Sequence, residues 1–127
     1  MRFKPNILAI DDNNDIADLI KLALQMNGFN VVAYDNPFLA LQCFKSNPKK
    51  FTLVISDATM PGMSGFELIA NMRQVEPNFK AILMTAYDID HIIVDLKKYN
   101  YEIQEILKKP LSITNLCEVV EKHLNNC

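Results

Sequence analysis

Short uninterrupted apolar runs alternate along this chain with longer stretches in which apolar residues return every three or four positions. Ile7–Ile10 carries no polar residue, the mark of a strand buried on both faces. Ile16, Leu19, Ile20, Ala23 and Leu24 then share one helical face, and Gly28 stands where that helix would stop. Asn30–Tyr34 (NVVAY) reads as a second strand. Pro37 can open a helix with Phe38, Leu41 and Phe44 on one face, closed by Asn47-Pro48. Leu53–Ser56 predicts a third strand. A loop with Pro61, Gly62 and Gly65 follows it, then a helix through Phe66, Ile69 and Ala70 to about Val75. Ala81–Met84 predicts the fourth strand, and Asp88 is a candidate N-cap for a helix bearing Ile89, Ile92, Ile93 and Leu96. The fifth strand falls within Ile103–Leu107. Ser112 can cap a last helix with Leu116, Val119, Val120 and Leu124 turned inward.

Strand followed by helix, five times over, predicts an α/β fold: a doubly wound, five-stranded parallel sheet covered on both faces by right-handed crossovers. The expected strand order is 2-1-3-4-5, that of flavodoxin-like sheets, in a single domain over residues 1–127. The length fits one domain, and with 50% apolar and 22% charged residues there is enough to build a core. Thirteen basic against fifteen acidic residues leave a net charge of −2, so nothing suggests a broad grip on nucleic acid or anionic lipid. No apolar run is long enough for a membrane span, and Asp11 and Asp12 break the N-terminal one. Cys43, Cys117 and Cys127 are scattered without a CxxC pair. They read as two small core thiols and one frayed terminal thiol in a reducing, cytoplasmic setting. Three glycines weaken any GxGxxG or Walker-type phosphate loop, and neither pattern is present.

In such a sheet ligands bind beyond the carboxyl ends of the strands, near the point where strand order reverses. After the first strand come Asp11 and Asp12; after the third, Asp57; after the fourth, Thr85; after the fifth, Lys108, Lys109 and Pro110. The predicted order makes strands one and three neighbours, so the three acids should converge, with Thr85 and Lys109 approaching from the side. Each residue alone has a bland reading as loop, cap or surface punctuation. Their shared placement at four strand ends has none. His91 and His123 read as exposed or edge-packed helix residues, and Met60, Met63, Met72 and Met84 as core or loop fillers.

Two unit charges ~4 Å apart repel by about 4 kcal/mol at an effective dielectric of 20, so the cluster calls for a cation or shared protons. Oxygen-only donors favour Mg²⁺ over zinc, and Mg²⁺ keeps waters and takes a phosphate oxygen. A carboxylate there can act as nucleophile on a phosphoryl group, while the metal, an ammonium and a hydroxyl neutralise the transferring oxygens.

The chain resembles the receiver domains of two-component response regulators, through ILAIDD at Ile7–Asp12, LVISDATMPGMSGFEL at Leu53–Leu68, ILMTA at Ile82–Ala86 and ILKKP at Ile106–Pro110. The Asp-x-x-Met-Pro-x-Met-x-Gly segment from Asp57 to Gly65 is the most specific part. The resemblance implies that Asp57 accepts a phosphoryl group from the phosphohistidine of a histidine kinase or a histidine phosphotransfer protein. It implies that Asp12, Asp57 and the Thr59 carbonyl ligate Mg²⁺, with Asp11 acting through water. Thr85 would hydrogen-bond the phosphoryl group, Lys109 would pair with it, and the Lys109–Pro110 peptide would be cis. Thr59 and Tyr87 stand where similar proteins control water access to the phosphate. Such a chain is a switch that catalyses only its own phosphorylation and dephosphorylation. It reads out through an unidentified downstream protein or a phosphorylation-dependent homodimer, with no nucleic-acid or membrane contact of its own.

Three features depart from the family pattern. Ile106 occupies a position that often holds a switching aromatic; Tyr99–Glu102 (YNYE) replaces a Gly-Ala; and the interval from Thr85 to Lys109 is slightly long. They bear on the output face of helix 4, strand 5 and helix 5, and point to a switch centred on Thr85 and Tyr87. An aspartyl-phosphate phosphatase would place a catalytic acid where Thr59 stands and would carry a cap. A flavodoxin-like cofactor binder would not have an acidic first loop. A pseudo-receiver would not need the full Asp, Thr and Lys set. No output domain follows the fifth predicted helix, so the chain reads as a stand-alone receiver or as a piece of a longer regulator.

Overall fold

Each apolar run becomes a strand of one parallel sheet in the computed structural model, which describes residues 5–124. The strands are β1 (Asn6–Ile10), β2 (Asn30–Tyr34), β3 (Leu53–Asp57), β4 (Lys80–Thr85) and β5 (Glu105–Lys108). The helices between and after them are α1 (Asn14–Met26), α2 (Pro37–Ser46), α3 (Gly65–Val75), α4 (Ile89–Leu96) and α5 (Ile113–Leu124). Strand order is β2-β1-β3-β4-β5, as the alternation predicts. β5 runs one residue past the expected Ile103–Leu107 window, to Lys108, and just before it the Gln104 side chain accepts a hydrogen bond from the Ala81 N–H at 2.6 Å.

Alternation along each strand divides the core. Ile7, Ala9, Ile55 and Met84 meet Ile20 and Leu24 of α1 and Leu116 and Val120 of α5. Leu8, Ile10, Val54 and Leu83 meet Phe44 of α2, Ile69 and Met72 of α3 and Ile92 of α4. Side chains start the helices by satisfying orphan N–H groups. Asn13 accepts from Asp15 and Ile16, Asn36 from Phe38 and Leu39, Ser64 from Glu67, and Ser112 from Asn115. Asp88 holds the N-cap position of α4 but makes no cap bond; its carboxylate pairs with Lys108 at 3.1 Å.

Several expectations about faces change. The buried face of α2 is Pro37, Ala40 and Phe44, and Phe38 is 53% exposed. On α4 only Ile92 is buried, with Ile89 and Ile93 exposed. Leu19 of α1 is exposed as well, and Val119 and Leu124 of α5 are half-buried. Helix-period spacing marks a face but not how far a neighbour covers it. Cys43 and Cys117 are half-buried instead of core thiols, and Cys127 lies outside the described residues.

Candidate functional site

The register of the sheet sets what meets at its carboxyl edge. β1 and β3 pair with Ile10 opposite Ser56, so Asp11 and Asp57, the next residue of each, emerge side by side. β4 and β5 pair with Thr85 opposite Lys108, and the Lys109 N–H donates to the Thr85 carbonyl at 2.7 Å. The carboxylates of Asp11, Asp12 and Asp57 each present an oxygen within 4.8 Å of the others. Asp11 is fully buried, Asp57 is 7% exposed, and Asp12 faces water. Between the two buried acids lies the Lys109 ammonium, 2.7 Å from Asp11 Oδ2 and 3.2 Å from Asp57 Oδ2. The other oxygen of Asp11 accepts from the Asn13 N–H at 2.9 Å. Both Asp11 oxygens are therefore engaged, whereas Asp12 is open to solvent.

Burial pushes the Asp57 carboxyl up to about 6; Lys109 pulls the other way, and Asp11 and a hydrogen bond with Asp12 add to the rise. For Lys109, burial disfavours the charge, but its bonds and proximity to Asp11 and Asp57 outweigh that and hold its pKa above the usual value. The pocket thus holds one ammonium against three acids, and it remains short of positive charge.

Asp57 itself is held from behind. The buried Ser56 hydroxyl donates to the Asp57 carbonyl at 2.9 Å. Gly65, the first residue of α3, packs so closely that a β-carbon there would lie 2.2 Å from that same oxygen. The loop between β3 and α3 turns at Gly62, whose φ of +84° suits glycine, and the ring of Phe38 rests against it.

Among the residues expected at the site, Asp11, Asp12, Asp57 and Lys109 come together directly, with the Lys109–Pro110 peptide cis. Thr85 is buried beside them, and its Oγ1 accepts from the Tyr87 N–H at 2.9 Å. Thr59 lies exposed in the β3–α3 loop, and among the described residues its carbonyl accepts no hydrogen bond. Tyr87 is 58% exposed, and Ile106 is half-buried against the α2–α4 side of the core. The sequence reading missed Ser56 and Asn13 at the site. A hydroxyl ending an otherwise apolar strand was the available signal for Ser56. Helical spacing assigns Phe38 to the face of α2 with Leu41 and Phe44, and nothing in it marks the contact with Gly62.

The donor set fits a hard divalent cation. Carboxylate oxygens converge without imidazole or thiolate, one acid is open to water, and a free carbonyl stands in the adjacent loop. The segment that replaces Gly-Ala does different work. Tyr99 stacks on Phe66 of α3 at 6.0 Å, and the Tyr101 hydroxyl donates to the Phe66 carbonyl at 2.8 Å.

Residues 7–121 match the family model of the response regulator receiver domain. The response regulator receiver protein CpdR of Brucella abortus is 27% identical over 93% of this chain and 95% of its own. Response regulator protein FleR of Pseudomonas aeruginosa is 30% identical over 92% of this chain but only 24% of its own length. Among solved structures, a response regulator receiver domain protein from Clostridium thermocellum superposes with a TM-score of 0.84 at 28% identity, covering 95% of this chain and 94% of that one. The chemotaxis protein CheY4 of Vibrio cholerae shares the fold, with a TM-score of 0.85 at 23% identity over 96% of this chain and all of that one.

Proposed function

The chain belongs to the response regulator receiver domain family of two-component signalling, and on that premise we propose that it is a phosphorylation switch whose acceptor is Asp57. The observation that carries this reading is the buried Asp57 carboxylate, bridged by Lys109 to Asp11 with Asp12 alongside. An Asp57 oxygen attacks the phosphorus of a phosphohistidine. The O–P bond forms as the N–P bond breaks, and its electron pair returns to the imidazole, which then takes up a proton. Lys109 would follow the charge from the carboxylate onto the phosphoryl oxygens, and the Thr85 hydroxyl would donate to one of them. Asp12, Asp57 and the Thr59 carbonyl would hold Mg²⁺, with Asp11 acting through water. Bound there, the cation offsets the acids' mutual repulsion and polarises the phosphoryl group. The same residues would serve hydrolysis by water, with Thr59 and Tyr87 at the rim of its approach.

The phosphodonor would be a histidine kinase or a histidine phosphotransfer protein. An apolar hollow of about 200 Å³ beside Lys109, lined by Ile16, Leu19, Ile20, Pro110, Leu111 and Ile113, supports a helix docking across α1 and the β5–α5 loop. Tyr87, just before α4, and Ile89 and Ile93, one turn apart on it, are exposed apolar residues that could meet a downstream protein or a second copy. Residues 1–127 would be one receiver domain acting in the cytoplasm; no helix among the described residues is long and apolar enough to cross a membrane. Intact-mass measurement with Mg²⁺ and a small acyl phosphate tests the assignment. The wild type should gain one phosphoryl group and Asp57→Asn none; full labelling of that variant would move the acceptor elsewhere.

A further inference from the structure

Phe38 sits in the wrong place for a core residue. It is the second residue of α2, yet 53% of it is exposed, and its ring faces the β3–α3 loop instead of the sheet. An ideal β-carbon on Gly62 would lie 2.9 Å from Phe38 Cε2 and 3.3 Å from Cζ, so the ring lies against the glycine itself. Met63, next in the loop, packs against the core cluster shared by α2 and α3, and Ser64 caps α3. The turn that follows Thr59 is thereby held by α2 at one residue and by the core at the next.

We infer that Phe38 is a positioning residue for Mg²⁺ binding: its ring, pressed on Gly62, fixes the loop that presents the Thr59 carbonyl. Glycine leaves a loop more freedom than any other residue, and a ring packed on it removes that freedom before the metal arrives. Mg²⁺ demands near-octahedral geometry at ~2.0–2.1 Å, so a carbonyl that wanders costs affinity. Gly62 lies three residues beyond Thr59, too short a stretch to absorb a shift at one end without moving the other. The inference rests on the proposed metal site and extends it to a side chain that touches neither metal nor phosphate.

The test is Mg²⁺ titration calorimetry on the wild type, Asp12→Ala, Phe38→Ala and Phe38→Leu, with amide hydrogen exchange and metal-free melting of each. Phe38→Ala should weaken Mg²⁺ about tenfold, in the range of residues that orient metal ligands. Exchange should quicken at the Gly65 N–H, which closes the loop onto the Ala58 carbonyl, melting without metal should hold, and Phe38→Leu should restore most of the affinity. If Phe38→Ala binds like the wild type while Asp12→Ala does not, the role of Phe38 is overturned and the metal site stands. If neither variant changes binding, the metal site fails and the inference fails with it. Weaker binding accompanied by lower metal-free melting and faster exchange throughout α2 would make Phe38 a structural residue only, and would also overturn it.

Discussion

At Asp57 burial and charge oppose one another, and the conflict has a pH signature. Its carboxyl is raised from 3.8 to about 6, chiefly by burial. A raised carboxyl stabilises the fold below the unfolded value and loses that contribution as pH climbs through the folded one. Without metal, the wild type should therefore lose stability relative to Asp57→Asn between about pH 4 and pH 6, and the variant should be more stable at pH 7 by about 1–3 kcal/mol. Denaturant melts in EDTA across that window measure the gap, and a gap that shrinks toward pH 7 would contradict the burial argument. Millimolar Mg²⁺ should narrow it, because the cation stabilises only the chain that binds it. Asp12 behaves differently because it is exposed. Asp12→Ala should reduce Mg²⁺ affinity and phosphorylation together, which titration and mass analysis at limiting Mg²⁺ will read; normal phosphorylation of that variant would sink the proposed coordination. The convergence of these residues was legible because strand ends and strand order are pattern properties. Ser56 and Asn13 were not, since one acts on the Asp57 carbonyl and the other on Asp11 through a backbone N–H.

Elements were legible where burial is complete and less so where it is partial. β1 and β3 are apolar on both faces, and their runs gave their positions to within a residue or so. α2 and α4 were placed correctly but their faces were not. Sequence periodicity marks a helical face but is blind to how far the packed neighbours extend over it. The junction of β3 and α3 shows how tightly elements can be coupled at the site. Gly65→Ala would drive a β-carbon to within 2.2 Å of the Asp57 carbonyl oxygen, which backbone cannot accommodate without moving. We expect a loss of about 1–3 kcal/mol, as for other overpacked sites, and slower phosphorylation in molecules that still fold. Thermal melts and phosphorylation time courses measure the two effects; a variant as stable and as fast as wild type would show that α3 sits looser on Asp57 than this packing implies.

Across the whole molecule, the response to phosphorylation should follow the weakest attachment next to the site. α4 has one buried side chain, Ile92, and its first turn carries exposed Ile89, with Ile93 exposed one turn on. Its C-terminal side is tied to α3 through the Tyr99–Phe66 stack and the Tyr101 hydroxyl, whereas its N-terminal side is held by the solvent-exposed Asp88–Lys108 pair. An exposed pair of that kind contributes about 1 kcal/mol at most. When a phosphoryl group on Asp57 draws the Thr85 hydroxyl inward, the Tyr87 N–H bonded to it should follow. The start of α4 would then pivot on its aromatic anchor. Ile106 is β-branched, stiff at χ1 and already packed against the core, so it can take up a small shift but cannot swing. Such a two-state segment conveys a signal only through contacts that differ between its states, and the apolar residues at the start of α4 would supply them. Backbone NMR shifts of the free protein and of the protein with a bound phosphoryl mimic should therefore differ most over residues 85–90 and the first turn of α4, with β5 changing less. Large changes centred on Ile106 with residues 85–90 silent would reject a loop-centred switch and return the output to the strand.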